Sequence, residues 1–171
     1  PAPVRATVVE LGILVADQDA GELAGLGRPL GVAATGDADE ALALRPDCVV
    51  YTAMADTRLT EALDDLCRIL RAGVNVVSSS PVFLQFPDGV VPAEMSDPIR
   101  AAAAEGNASI FVNGIAPGFA NDSLPLAITG ISERIDEVRC MEILNYDTYD
   151  QGTVLFDIMG FGRPMDAVPM L

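Results

Sequence analysis

The segment Asp47-Cys-Val-Val-Tyr-Thr-Ala53 is a continuous apolar run, which indicates a strand that is buried on both faces. A helix is predicted over 59–71, where four leucines recur at helical spacing, and Gly73 stands where a helix commonly ends. A second strand follows over 74–77 and runs into three serines. This β-α-β succession predicts two parallel strands joined by a right-handed crossover.

The same alternation continues on both sides of this unit, and it predicts an α/β fold with a Rossmann-like parallel sheet. The loop from Asp17 to Gly31 has room for one helical turn. The other predicted elements are a short strand Val32–Thr35, a helix Asp37–Leu44, a helix Asp97–Glu105 with Pro98 in its first turn, a strand Ser109–Asn113 and a helical segment Ala120–Thr129. Asp56 or Thr57 is the predicted cap of helix 59–71.

The pattern changes after Ile131. Residues 136–145 alternate charged with apolar side chains, which predicts a strand with one wet face. The tail from Tyr146 to Leu171 is rich in Gly, Pro, Asp and Met without a clear period. We therefore divide the chain into a partial dinucleotide-binding domain, residues 1–130, and the beginning of an α+β second domain, residues 131–171.

Composition excludes several kinds of function. The net charge of −15 argues against binding to nucleic acid or to an anionic membrane surface. No apolar run reaches the roughly 20 residues that span a bilayer, so a cytoplasmic protein is expected. The chain has no histidine and no lysine, which excludes a Ser-His-Asp triad, a histidine metal site and a lysine nucleophile. Cys48, Cys67 and Cys140 lack metal-ligand spacing and are interpreted as buried, reduced thiols.

Three strand ends carry small polar residues, and parallel strands bring such ends to one edge of a sheet. They are Tyr51-Thr52-Ala53, Ser78-Ser79-Ser80 and Asn113-Gly114-Ile115. Small side chains and backbone groups there suit the close approach of a flat nicotinamide ring. The alternative is that Ser and Gly merely end strands and begin turns.

Three other residues are candidates for binding. The apolar run Val8–Asp17 predicts a strand, and Asp17 at its end could accept hydrogen bonds from a ribose hydroxyl pair. The next eight residues contain no arginine to neutralise a 2′-phosphate, which favours NAD over NADP. Tyr146 and Tyr149 could donate hydrogen bonds to a substrate. The alternatives are a solvated Asp17 and an ordinary turn at the tyrosines.

Several motifs resemble one family. Val49-Val-Tyr-Thr-Ala53, Gly73-Val-Asn-Val-Val-Ser78, Asn113-Gly-Ile-Ala-Pro-Gly-Phe-Ala-Asn-Asp122 and Arg134-Ile-Asp-Glu-Val-Arg139 are similar to oxidoreductases whose N-terminal domain is like that of dihydrodipicolinate reductase. This group includes 2,4-diaminopentanoate dehydrogenase and the native amine dehydrogenases. The resemblance covers roughly residues 8 to 165.

The resemblance implies an NAD(P)-binding Rossmann domain followed by an α+β domain that lines the substrate pocket and mediates dimerisation. It makes Val8–Asp17 the second strand of the family, so the first strand with its glycine-rich loop is expected to lie outside this sequence, and the second domain to run past Leu171. The amine dehydrogenases carry a glutamate after the strand that corresponds to 74–79, whereas Ser80–Gln85 contains no carboxylate. Ala116 stands where the family more often has a polar residue.

Together these observations predict an NAD(P)-dependent oxidoreductase domain acting on a small carbonyl, imine or amine. The expected cofactor is NAD or NADP, and the expected partners are a small-molecule substrate and a second copy of the chain. Asp17, Thr52, Ala53, Ser79, Ser80 and Gly114 are the candidate cofactor residues, and Asn121, Tyr146 and Tyr149 border the substrate. No catalytic residue and no metal site are assigned. Two alternatives stay open: a non-catalytic remnant that no longer binds cofactor, and a pure association module.

Overall fold

A computed structural model describes residues 16–55, 58–89 and 91–167. Of the predicted strand Val8–Asp17, only Ala16 and Asp17 are described. The predicted caps Asp56 and Thr57 also lie outside the described residues. The described elements are α1 (Ala20–Leu23), α2 (Ala38–Ala43), β1 (Cys48–Tyr51), α3 (Leu59–Arg71), β2 (Asn75–Ser78), a 3₁₀ turn (Val82–Gln85), α4 (Ala93–Gly106), β3 (Ile110–Val112), a π-helical turn (Phe119–Ser123), α5 (Leu124–Thr129) and a second π-helical turn (Thr153–Ile158).

The three strands form one parallel sheet in the order β1-β2-β3. Val49 is paired with Val76, and Val76 with Ile110; one register position later Val50 is paired with Val77. Each crossover carries a helix, α3 between β1 and β2 and α4 between β2 and β3. The predicted α/β fold with a Rossmann-like parallel sheet is confirmed.

The core lies on one face of this sheet. Val49, Val76 and Ile110 are paired in register, and Tyr51 lies on the same face because successive side chains of a strand point to opposite faces. On this face they pack with the apolar stripe of α3, where Leu66 and Leu70 are fully buried. Ile99 and Ala102 of α4 complete the cluster, together with Ala55, Ala62 and Cys67. The predicted leucine face and the predicted bounds of this helix are confirmed.

The opposite face of the sheet carries an exposed apolar row. Val50, Val77 and Phe111 stand at one register position and are 72%, 43% and 59% exposed. Cys48 lies on the same face and is also exposed, so its predicted burial is wrong. The apolar run 47–53 predicted burial on both faces, but the helices of the described crossovers cover only one of them.

Two predicted elements differ in the structure. α4 begins at Ala93, four residues before the predicted start, and Pro98 lies inside it. Proline inside a helix removes one hydrogen bond and crowds the carbonyl four residues earlier, yet α4 continues through Pro98 and has Pro92 as its N-cap. The predicted strand Val32–Thr35 is represented by an isolated antiparallel bridge between Asp19 and Ala33.

The chain divides into two compact units, Pro1–Gly114 and Ile115–Leu171. In the second unit the predicted strand 136–145 is not formed: these residues are exposed, and none of them pairs with another described strand. A strand obtains its backbone hydrogen bonds from a neighbour, so an alternating pattern alone does not produce one. Cys140 in this segment is exposed rather than buried, whereas the predicted burial of Cys67 is confirmed. The predicted domain boundary after residue 130 stays a prediction.

Within the described residues, no helix combines the length and the apolar character needed to cross a bilayer.

We predict that Gly106→Ala destabilises the sheet unit. A Cβ atom at Gly106, the last residue of α4, would lie 1.8 Å from the carbonyl oxygen of Leu70 and 3.1 Å from the backbone nitrogen of Gly73. Relieving this overlap with backbone atoms should lower the free energy of unfolding by about 1–3 kcal/mol in urea titrations.

Gly36→Ala is the matched control, because a Cβ there meets nothing within 4 Å. It should change the free energy of unfolding by less than about 0.5 kcal/mol. Equal effects of the two substitutions would contradict the close approach of α3 and α4.

Candidate functional site

The carboxyl ends of the three strands lie side by side. Beyond the last strand pairs, the backbone N–H of Ser79 donates to the carbonyl of Tyr51 at 3.2 Å, and the N–H of Asn113 donates to the carbonyl of Ser78 at 2.9 Å. The parallel ladder therefore extends one residue past β2 and β3. Thr52 and Ser79, the residues that follow β1 and β2, are exposed at this edge. The predicted convergence of the three strand ends is present.

The hydroxyl of Ser78 joins two of these ends. It is buried, lies 3.0 Å from the carbonyl oxygen of Tyr51 and accepts a hydrogen bond from the backbone N–H of Ser80 at 3.1 Å. The carbonyl oxygen of Ser80 is also within its reach. One side chain therefore connects β1 to the turn after β2.

Ser80 makes the second connection between these loops. Its hydroxyl accepts a hydrogen bond at 3.1 Å from the backbone N–H of Ala55, which lies in the loop after β1. Ala53 in the same loop is partly buried and packs against the core cluster. Of the two predicted serines, Ser80 thus has its side chain directed to the neighbouring loop, while Ser79 is exposed.

A polar triad supports β1 from the helix side. The guanidinium of Arg58 donates to the hydroxyl of Tyr51 and to the carboxylate of Asp65, each at 2.9 Å. The Tyr51 hydroxyl in turn donates to Asp65 at 3.0 Å. Burial, followed by the neighbouring Asp65 carboxylate, raises the pKa of Tyr51, although the Arg58 hydrogen bond opposes this shift. The Tyr51 hydroxyl is therefore a neutral structural group that holds the start of α3 against the end of β1.

Asp17 and Asp19 have different environments although they are close in sequence. The carboxylate of Asp19 accepts hydrogen bonds from the N–H groups of Gly21 at 2.7 Å, Leu30 at 2.8 Å and Gly31 at 2.7 Å. It closes the loop 19–31 and caps α1. Asp17 is exposed and adopts a φ of +68°, which aspartate tolerates better than most residues. Its backbone N–H donates to Ala34, and its carboxylate faces solvent.

The predicted substrate residues lie in the second unit. The side-chain oxygen of Asn121 accepts a hydrogen bond from the N–H of Gly118 at 2.9 Å and so closes the turn before α5. The Tyr146 ring packs edge-on against Tyr149 at 5.8 Å and Phe161 at 5.2 Å between ring centroids. The Tyr146 hydroxyl donates to Glu142 at 2.6 Å, and this hydrogen bond raises the pKa of Tyr146. Asn121 and Tyr146 thus have hydrogen-bond partners within the chain, while Tyr149 contacts the Tyr146 ring and is 42% exposed.

One group at the sheet edge lacks a partner. The side-chain oxygen of Asn113 is enclosed and accepts no hydrogen bond from the residues that the structure describes. Buried carbonyl oxygens in proteins are normally paired, so an enclosed acceptor beside an exposed strand edge fits a site that receives a donor from a ligand. The exposed Asp17 carboxylate and the small residues Thr52 and Ser79 are likewise compatible with a nucleotide. These residues fit an NAD(P) cofactor.

Sequence reasoning did not identify three residues that determine this geometry. The sequence marks Ser78 and Asn113 only as members of strand ends and does not distinguish Asp19 from other loop acids. For Asp19 a signal was available, since an acid immediately before a short helix is a common cap. For Ser78 and Asn113 the decisive hydrogen bonds join segments that are distant in sequence.

The comparisons with known proteins agree with the resemblance seen in the sequence. The chain is 46% identical over 154 residues, 90% of its length, to a protein of Streptomyces virginiae named amine dehydrogenase. The chain is similar to amine dehydrogenases. A solved structure of amine dehydrogenase from Mycobacterium smegmatis matches 78% of the chain with a TM-score of 0.63 and 31% identity. No family model matches.

The matched region is a part of these proteins. It spans 42% of the length of the Streptomyces amine dehydrogenase and 38% of the Mycobacterium chain. These matches support the amine dehydrogenase group as the one this chain resembles.

We predict that Ser78→Ala destabilises the sheet while Ser79→Ala does not. Removing the Ser78 hydroxyl leaves the N–H of Ser80 without its partner, which costs about 1–3 kcal/mol. Urea denaturation measures the effect, and the exposed Ser79 serves as the matched control in the next position. A stable Ser78→Ala variant would show that the two loops are held by other contacts.

We also predict an acid-dependent contribution of Asp19. Hydrogen bonds from the N–H of Leu30, and then of Gly21 and Gly31, lower the pKa of Asp19 from its usual 3.8. The folded state therefore binds this proton less readily than the unfolded state, and the resulting stability is present above pH 3.8 and disappears as the pH falls through the lower folded value.

Asp19→Asn should remove this part of the pH dependence, which denaturant titrations between about pH 2 and 6 would detect. Asp17→Asn is the control, because the Asp17 carboxylate faces solvent. An unchanged acid slope in Asp19→Asn would refute the role of the three N–H groups.

Proposed function

We propose that this chain forms the nicotinamide-cofactor domain of an NAD(P)-dependent amine dehydrogenase. The observation that carries the proposal is the common edge of the three parallel strands, where the register Tyr51, Ser78, Val112 brings the following small residues together. Ligands of open parallel sheets bind outside the carboxyl ends of the strands. The similarity to amine dehydrogenases gives this edge a chemical class, an oxidoreductase acting on amines.

Each candidate residue has a specific part in this proposal. The Asp17 carboxylate accepts hydrogen bonds from the adenosine ribose hydroxyls, as acids at this position of the fold do. Thr52, Ala53, Ser79 and Gly114 leave space for the flat nicotinamide, and the Ser80 hydroxyl keeps the loop after β1 in place through Ala55. Asn121, Tyr146 and Tyr149 are proposed to border the substrate.

The chemistry of hydride transfer belongs to the cofactor, and the protein contributes binding and orientation. Two serine hydroxyls and the Tyr51 triad hold the loops after β1 and β2, so the strand ends form a preorganised surface. Preorganisation matters because small displacements of the reacting groups reduce rates strongly. A small carbonyl, imine or amine is the proposed substrate class, and a homodimer the proposed assembly.

Cofactor binding tests the proposal directly. We expect the purified chain to bind NADH below millimolar concentration, measured by nicotinamide fluorescence, with NADPH binding more weakly because Asp17 repels a 2′-phosphate. Asp17→Ala should weaken NADH binding about tenfold or more, since hydrogen bonds to a charged group contribute about 1.5–3 kcal/mol.

Asp64→Ala removes the same charge from an exposed position of α3 and should leave NADH binding unchanged. Absence of NADH and NADPH binding at millimolar concentration would contradict the proposed function. An equal loss in both aspartate variants would reduce the role of Asp17 to its contribution to net charge.

A further inference from the structure

We propose that the side chain of Asn113 binds the carboxamide group of the nicotinamide. This inference rests on the proposed function and assigns a residue to one end of the cofactor. It starts from the enclosed side-chain oxygen of Asn113, which accepts no hydrogen bond within the described part of the chain. An enclosed acceptor without a donor lowers the stability of the fold. A ligand that supplies an N–H to this acceptor removes that cost.

The position of Asn113 suits this role. Its backbone N–H donates to the carbonyl of Ser78 at 2.9 Å, so its Cα is held in the parallel ladder and not in a free loop. Because Ser78 is paired with Val112, the next register position brings Asn113 beside Ser79, at the strand spacing of about 4.8 Å. Asn113 therefore belongs to the same edge as the residues proposed to surround the nicotinamide.

The chemistry of an asparagine side chain matches a carboxamide. Asn113 offers an acceptor oxygen and an NH₂ donor in one plane, and the nicotinamide carboxamide offers the same pair in reverse. Two reciprocal hydrogen bonds can form, whereas a substrate amine would use only the acceptor. The Asn113 oxygen has no donor among the described residues, so a carboxamide N–H would complete its hydrogen bonding.

The test uses ligands that differ only where Asn113 is proposed to act. The reduced 3-acetylpyridine analogue of NADH carries a methyl group in place of the carboxamide NH₂ and cannot donate to Asn113. ADP-ribose lacks the nicotinamide altogether. We expect the chain to bind NADH about tenfold more tightly than the acetylpyridine analogue, which corresponds to about 1.4 kcal/mol.

Asn113→Leu replaces the amide by an apolar group of nearly the same shape. It should bind NADH and the analogue equally and keep the affinity of the unmodified chain for ADP-ribose. Its urea midpoint should be unchanged or higher, because it removes an unpaired buried acceptor. This stability readout separates a ligand-binding role from the structural role of Ser78, whose removal is expected to lower the midpoint.

Three results would overturn the inference. The first is that Asn113→Leu keeps the preference for NADH over the analogue, and the second is that it loses ADP-ribose affinity as strongly as NADH affinity. The third is a lower urea midpoint of Asn113→Leu, which would show that the Asn113 amide makes a stabilising contact within the fold. A chain that binds ADP-ribose but does not distinguish NADH from the analogue refutes only the Asn113 assignment. A chain that binds neither nucleotide refutes the proposed function itself.

Discussion

Parallel pairing of β2 with both β1 and β3 is the constraint on which the rest of the described sheet unit depends. The pairing sets Tyr51, Ser78 and Val112 at one register position, so the residues that follow each strand emerge at a single edge. A slip of one residue would move every side chain to the opposite face and would separate the buried Ser78 hydroxyl from the carbonyl of Tyr51. Core packing and the candidate site thus share one cause.

Side chains at both ends of β2 reinforce this register. At the amino ends of the strands, the Asn75 side chain donates to the carbonyl of Asp47 at 3.1 Å and accepts from the N–H of Ser109 at 3.0 Å. At the carboxyl ends, Ser78 and Ser80 connect the loops after β1 and β2. Side chains therefore link β2 to both neighbours at its amino end and to β1 at its carboxyl end, which limits movement of the edge where a cofactor is proposed to bind.

Burial in the sheet unit is one-sided. α3 and α4 approach closely enough that Gly106 contacts the backbone of Leu70, and their apolar faces cover one side of the strands. On the other side, Val50, Val77 and Phe111 remain exposed in a single row. The apolar pattern of residues 47–53 predicts the strand, but it does not show whether helices cover one face of the strand or both.

The sequence by itself determined the alternation of strands and helices, the bounds of α3 and the chemical groups that are absent, because these follow from local periodicity and composition. It also identified the three strand ends, since parallel topology brings them together. The tertiary structure alone decided that Ser78 and Ser80 hold loops, that Asp19 and not Asp17 closes its loop, and that the Asn113 oxygen has no donor among the described residues. The physical reason is that hydrogen-bond partners here lie far apart in sequence, as in the separation of 27 positions from Tyr51 to Ser78, and only register and packing bring them together.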